Sequence, residues 1–177
     1  MKHPQIRFLL LIKTMDDSKP AGRNDGHDMD YSVITDSIFI GSDLCKGGVC
    51  KIHGEEFKRL GVKFEINLSL ENNELPPKDG LGGYTWLPVT DGRPPSEKQL
   101  DVGSCIINEM VGDGSKIYIH CKNGHGRSPT LVAAYLIRFE GKTAEEAEKI
   151  IKEKRPEIHI EENQKKVLGG YEEKWKK

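Results

Sequence analysis

Lys116-Ile117-Tyr118-Ile119-His120-Cys121-Lys122-Asn123-Gly124-His125-Gly126-Arg127-Ser128-Pro129 is the stretch that decides the fold. Residues 116 to 120 read as a short strand with Ile117 and Ile119 on one face. Ser128 to Phe139 reads as a helix, with Pro129 tolerated in its first turn and Gly141 available to end it. Between them, residues 121 to 127 form a loop whose two glycines relieve the backbone of steric limits. A strand, loop and helix in this order can turn successive backbone N–H groups inward and add the positive end of the helix, which makes a nest for an anion. Arg127, placed just before the helix, can hold two oxyanion oxygens in a planar fork that lysine cannot reproduce. The same donors favour the thiolate of Cys121, six positions earlier in the chain. A free cysteine is most often simply buried packing. Inert packing, however, has no use for a thiol, a spaced arginine and a following hydroxyl gathered around a glycine loop.

Working outward, the flanking pattern supplies the rest of a layered domain. Tyr31 to Ser42 reads as two short strands, Ser32 to Thr35 and Ile38 to Ile40, around an Asp36-Ser37 turn, the pattern of a hairpin. Residues 43 to 53 read as a glycine-bearing loop. Glu55 to Leu60 reads as a short helix closed by Gly61. Val62, Phe64, Ile66 and Leu68 alternate with Lys63, Glu65, Asn67 and Ser69, which predicts a strand with one apolar and one polar face. Tyr84 to Val89 is the next strand, after a loop marked by Pro76 and Pro77. Ser96 with Gln99, and Thr143 with Glu146, are capping boxes that open helices running to about Val111 and Lys154. Val167, Tyr171 and Trp175, spaced four apart, predict a last helix. Strands alternating with helices predict a single α/β domain over residues 31 to 177, with a central, largely parallel twisted sheet of about five strands flanked by helices. In such folds ligands bind beyond the carboxyl ends of strands, where residues 121 to 127 lie.

Composition narrows the function further. The chain has 177 residues, 36% apolar and 31% charged, which suits one domain. No stretch approaches the roughly 18 apolar residues of a membrane span, so no integral membrane segment is expected. Lys plus Arg total 27 against 28 Asp plus Glu, a net charge of -1 that gives no global attraction to nucleic acid. The apolar run Phe8 to Ile12 is too short for a signal peptide, and Lys13 to Asp30 is polar. Residues 1 to 30 therefore read as an N-terminal extension, partly a flexible connector. Four cysteines, Cys45, Cys50, Cys105 and Cys121, without a secretory signal fit a reducing compartment, so the cytoplasm is expected. Cys45 and Cys50 could pair with each other or protect Cys121 after oxidation; unpaired thiols are the simpler reading. His120 beside Cys121 lacks the partners of a zinc site, and no metal or cofactor is expected.

His120-Cys121, Arg127 and Ser128 form a His-Cys-x5-Arg-Ser motif that resembles the signature of the cysteine-dependent protein tyrosine phosphatase superfamily, especially its dual-specificity branch. Ser128-Pro129-Thr130 and Ala134-Tyr135-Leu136-Ile137 resemble that branch's extended signature, and Ile34 to Gly41 resembles its opening hairpin. The resemblance covers about residues 31 to 170. It implies hydrolysis of phosphate monoesters through a phosphocysteine on Cys121, with Lys122, Asn123, Gly124, His125, Gly126 and Arg127 binding the phosphate. It also implies that Asp91, in a loop thirty residues before Cys121, protonates the leaving group. A lone Asp in a Gly/Pro loop would otherwise be read as turn chemistry. Ser128 would stabilise the departing thiolate, His120 would orient the loop from beneath, and Gln164 would stand near the active site. The residues before Gln164, Glu161-Glu162-Asn163, depart from the family pattern.

For substrate, the overall likeness implies protein phosphotyrosine, with phosphoserine and phosphothreonine, and a monomeric enzyme. The basic loop interior, with Lys122 and His125, resembles phosphoinositide phosphatases. Arg155-Pro156-Glu157-Ile158-His159-Ile160 is similar to the mitochondrial phosphatidylglycerophosphate phosphatase branch. A phosphorylated lipid is thus the alternative. A non-catalytic phosphate-binding module and a sulfurtransferase are the readings from other classes. The presence of Cys121, Arg127, Ser128 and Asp91 together weighs against the first, and the five-residue gap to Arg127 with Asp91 against the second.

Overall fold

A computed structural model of the chain describes residues 29–46, 49–73, 76 and 81–176. Residues 1 to 28 of the expected extension lie outside the described residues, as do the side chains of Cys45 and Cys50. Met29 and Asp30, which the sequence reading placed in the extension, pack with the domain: Met29 is buried, and Asp30 pairs with Arg155 at 2.8 Å.

The hairpin is formed by β1 (Tyr31–Val33) and β2 (Ile38–Gly41). At its turn the Thr35 Oγ1 accepts hydrogen bonds from the Ser37 and Ile38 amides. Two-residue strands β3 (Cys45–Lys46) and β4 (Val49–Cys50) pair antiparallel in the segment read from sequence as loop. Strands this short carry no periodicity that a sequence could display. Helix α1 (Glu55–Leu60) ends on Gly61, whose φ of 78° supplies the left-handed cap. Then come β5 (Val62–Ser69), β6 (Gly83–Val89), α2 (Glu97–Gly112), β7 (Lys116–His120), α3 (Arg127–Glu140), α4 (Ala144–Lys154) and α5 (Glu162–Trp175). Both expected capping boxes form, Ser96 with Gln99 and Thr143 with Glu146.

The five-stranded sheet runs β1-β2-β7-β5-β6, with every pairing parallel except β1 with β2. The expected α/β domain with a largely parallel sheet is therefore what the chain builds. One face carries the larger core, in which Ile38, Ile40, Ile66, Leu68, Ile117 and Ile119 meet apolar residues from α2 to α5. Helix α3 is buried over its whole run from Arg127 to Ile137 and is the hub of this layer. Gly103 lets α2 approach it, since a Cβ there would drive into Leu131. The opposite face is covered by a smaller cluster in which Phe39, Tyr118 and Val62 pack with Ile52 and Phe57.

Strand β5 departs from the expected alternation in two ways. Its pairing with β7 shifts register between Val62 and Phe64, so Val62 turns to the smaller cluster while Ile66 and Leu68 face the larger one. Of its polar positions only Lys63 is exposed; Glu65, Asn67 and Ser69 are buried.

Candidate active site

Cys121 follows the last residue of β7, and Arg127 is the first residue of α3 rather than the residue before it. The carbonyls between them are all drawn outward. Lys122 O accepts from the Asp43 amide at 3.1 Å, and His125 O from the His159 amide at 2.8 Å. Asn123 O and Gly124 O accept from the Arg155 guanidinium at 3.0 and 2.9 Å. Gly126 O takes the Thr130 amide at 3.0 Å and its hydroxyl at 2.8 Å. A trans peptide points its N–H opposite its C=O, so five outward carbonyls turn the following amides toward the centre of the loop. That is how this sequence makes the anion nest. Gly124 is indispensable to it: its φ is 69°, and a Cβ would strike the Gly41 carbonyl of β2.

The sulfur sits at the base of the nest. Cys121 is 2% exposed. Its Sγ accepts from the Gly124 amide at 3.3 Å and lies 3.4 Å from the Ser128 Oγ, itself fully buried in the first turn of α3. Arg127 is buried as well. Its Nη1 donates to Glu71 Oε2 and to Val89 O, each at 2.8 Å, and its Nη2 lies 2.9 Å from Asp91 Oδ1. Burial alone would lower the pKa of this guanidinium, but hydrogen bonding to Glu71 and the charges around it outweigh burial and raise it. On the other side of the pair, partial burial would raise the Glu71 carboxyl, yet hydrogen bonds from Arg127, its own backbone and Ser69, with the Arg127 charge, together hold it down at about 2.

A cleft of about 200 Å³ opens over the sulfur, lined by Asp91, Gly92, Cys121, Asn123, His125, Gly126, Arg127, His159, Glu161 and Gln164. Of the residues proposed from sequence to bind phosphate, Asn123, His125, Gly126 and Arg127 line this cleft, and Gly124 reaches the sulfur through its amide. Lys122 does not line it and is exposed on the loop's outside. Gln164 is buried. It completes a capping box with Glu161 at the start of α5, donates to Arg93 O at 3.2 Å, and packs against Gly126. Asn163 donates to Gly92 O at 2.9 Å, so α5 holds the loop that carries Asp91 from two adjacent side chains.

His120 lies beneath the loop, buried, with Nε2 2.8 Å from Glu65 Oε1 and Nδ1 3.4 Å from the Cys121 carbonyl. The second Glu65 oxygen is 2.9 Å from His53 Nε2. Burial pushes the Glu65 carboxyl up, but hydrogen bonds from His120 and His53 prevail and leave it lowered.

Several supporting residues escaped the sequence reading. Arg155 is fully buried and balanced by Asp30 at 2.8 Å and Glu157 at 3.2 Å, where the sequence marks it only as the start of the Arg155 to Ile160 stretch, with no structural role. Glu65 reads as a solvent-facing strand residue, and Glu71 lies 56 positions from the arginine it binds. For Glu65 the available signal was a charged residue among apolar neighbours, which does not name its partner; Arg155 and Glu71 stand among other polar residues and carry no such signal. Among the described residues, no group of three or more His, Cys, Asp or Glu is disposed to hold a metal, and no helix is long and apolar enough to cross a membrane.

A strand, an anion-cradling loop and a helix, with a thiol at the loop's start and a guanidinium at its end, are the arrangement of the cysteine-dependent tyrosine phosphatase superfamily. Residues 48–174 match the dual specificity phosphatase catalytic domain, and the chain belongs to that family. It is 33% identical over 118 residues to the human phosphatidylglycerophosphatase and protein-tyrosine phosphatase 1, covering 66% of this chain and 49% of that protein. It is 30% identical over 119 residues to the phosphatidylglycerophosphate phosphatase PTPMT2 of Arabidopsis thaliana, covering 64% and 52%. The chain thus spans about half the length of these curated relatives. Among solved structures, PTPMT1 in complex with PI(5)P superposes with a TM-score of 0.71 at 25% identity, covering 81% of this chain and 95% of that one. Human DUSP28 gives a TM-score of 0.68 at 26% identity, covering 81% and 93%.

Proposed function

We propose that the chain hydrolyses phosphate monoesters through a phosphocysteine on Cys121, with phosphotyrosine in proteins as the leading substrate. The observation that carries this is the meeting, in one cleft, of a buried sulfur with an amide and a hydroxyl on it and a buried guanidinium that also reaches Asp91. The ester's phosphate enters the nest, where the inward amides and the Nη2 side of Arg127 bind its oxygens. Nη1 stays on Glu71 and Val89 and keeps the fork in place. The Cys121 thiolate attacks phosphorus, the bond to the leaving oxygen breaks, and Asp91 gives that oxygen a proton. Water then attacks the phosphocysteine, Asp91 takes the water's proton, and the sulfur leaves as a thiolate that the Ser128 hydroxyl stabilises by donating to it.

The cleft holds about 200 Å³. Arg127 is the strong cation of its lining, Glu161 opposes a second anion, and Lys122 is not part of the lining. This favours singly phosphorylated monoesters over substrates carrying several phosphates. A lipid bearing one phosphate monoester on its headgroup is the second reading, supported by the names of the phosphatidylglycerophosphate phosphatases to which the chain is similar.

The test is a panel of p-nitrophenyl phosphate, phosphotyrosine and phosphoserine peptides, phosphatidylglycerophosphate and PI(5)P, with wild type, Cys121→Ser and Asp91→Ala. Cys121→Ser should abolish turnover of every substrate. Asp91→Ala should lower kcat on phosphotyrosine by roughly 10² to 10⁴, the usual worth of a general acid, and lower it less on p-nitrophenyl phosphate, whose leaving group needs little protonation. Higher kcat/KM on the lipids than on the peptides would favour the second reading. A wild type that binds phosphotyrosine without turning it over, or that cleaves thiosulfate instead, contradicts the proposal.

A further inference from the structure

Beneath the phosphate loop lies a buried carboxylate that the catalytic cycle above does not use. Glu65 is 3% exposed on the central strand β5, in register with Tyr118 of β7. A carboxylate removed from water costs several kcal/mol unless its oxygens are fully engaged, so its presence where an apolar side chain would pack calls for a reason. Both oxygens are engaged by rings, His120 Nε2 at 2.8 Å and His53 Nε2 at 2.9 Å. An ionised carboxylate only accepts hydrogen bonds, so both Nε2 atoms carry protons. That fixes the Nε2 proton and the edge orientation of His120. Its flat face is fixed separately by stacking on Tyr118, with ring centroids 5.4 Å apart and planes 19° from parallel. Tyr118 is itself pinned by donating its hydroxyl to Ser42 O at 2.6 Å.

The consequence reaches the sulfur through one peptide bond. His120 is the last residue of β7, Cys121 follows it, and the His120 Nδ1 lies 3.4 Å from the Cys121 carbonyl. A shift of the ring moves the peptide from which the nucleophile hangs, and displacements on the order of 1 Å at a reacting centre cost about a hundredfold in rate. We propose that Glu65 is a positioning residue: it clamps His120 through its Nε2–H and so sets the entry of Cys121 into the phosphate loop. His53, the second imidazole on the same carboxylate, ties this clamp to the segment that leads into α1. The role rests on the phosphatase reading. The Nε2 proton does not.

Glu65→Gln tests it, because glutamine keeps the shape but replaces one acceptor by an N–H₂ group that confronts an imidazole N–H. One ring must then change tautomer or turn. Wild type should show exchange-protected Nε2 protons on both His53 and His120 by ¹⁵N-edited NMR, and at least one of these should be lost in the variant. With p-nitrophenyl phosphate, kcat should fall roughly ten- to a hundredfold while KM changes less than about twofold, since the binding amides and Arg127 remain. An active wild type with an equally active Glu65→Gln overturns the positioning role alone. A wild type without turnover overturns the phosphatase reading on which that role depends. If the variant does not fold, the wild-type spectrum still decides: a His120 protonated on Nδ1 with a bare Nε2 contradicts the clamp.

Discussion

The two faces of β5 are built from one eight-residue strand and serve different ends. Ile66 and Leu68 face α2 to α5 in the larger core. Glu65, Asn67 and Ser69 face the other way, equally buried, and each reaches a part of the site. Glu65 holds His120. Asn67 donates to Asn72 O at 2.8 Å and to the Tyr84 hydroxyl at 3.2 Å, and accepts from the Ser69 amide at 2.7 Å. Ser69 donates to Glu71 at 2.9 Å, and Glu71 grips Arg127 at 2.8 Å. One face supplies stability through area removed from water, which is indifferent to direction. The other supplies direction, because satisfied buried polar groups admit few alternative arrangements.

The largest effect should come from the apolar face and should leave chemistry alone. Ile66→Ala, at a position fully removed from solvent, should cost about 2 to 5 kcal/mol of unfolding free energy. Urea denaturation measures this, and kcat per folded molecule should stay within about twofold. A collapse of kcat with unchanged stability would break the division. Asn67→Leu should reverse the emphasis. It removes the hydrogen bonds that Asn67 makes to the Asn72 carbonyl and the buried Ser69 amide, a cost of about 1 to 3 kcal/mol, and it loosens the segment that presents Glu71, so kcat/KM should fall by more than the stability loss explains.

The smallest effect is sharpened by pH. Glu71 sits at about 2 in the folded chain against an ordinary value of 4.5. A depressed carboxylate contributes stability that is fully present above its unfolded value and is lost as pH falls through the folded one. Glu71→Gln should therefore lower stability near neutrality by on the order of 1 kcal/mol, the scale of a partly exposed ion pair. The gap from wild type should narrow below pH 4.5 and close near pH 2. Thermal unfolding across that range is the check, and a gap that persists into strong acid would deny Glu71 its pairing with Arg127.

The same two faces mark what could be read from residues alone. Local spacing carried the loop at 121 to 127, the Gly61 cap, both serine and threonine capping boxes and the parallel sheet, because caps and periodicities are written within a few residues. The apolar face of β5 was legible from Phe64 to Leu68, but not the turn of Val62 to the other side, which depends on a register shift against β7. The polar face read as solvated, since alternation gives no sign that α1 and Ile52 cover it. Arg155 was illegible for a related reason: its bonds to Asn123 and Gly124 span 32 and 31 residues, and no local pattern announces a buttress from that distance.

Central to the account is the covalent bond between Cys121 and the substrate's phosphorus. Rapid acid quenching of Asp91→Ala during turnover of p-nitrophenyl phosphate, followed by peptide mass spectrometry, tests it most directly. The prediction is one added phosphoryl group on the peptide containing Cys121, absent in Cys121→Ser. Steady turnover with no such adduct, or turnover that survives Cys121→Ser, would contradict it.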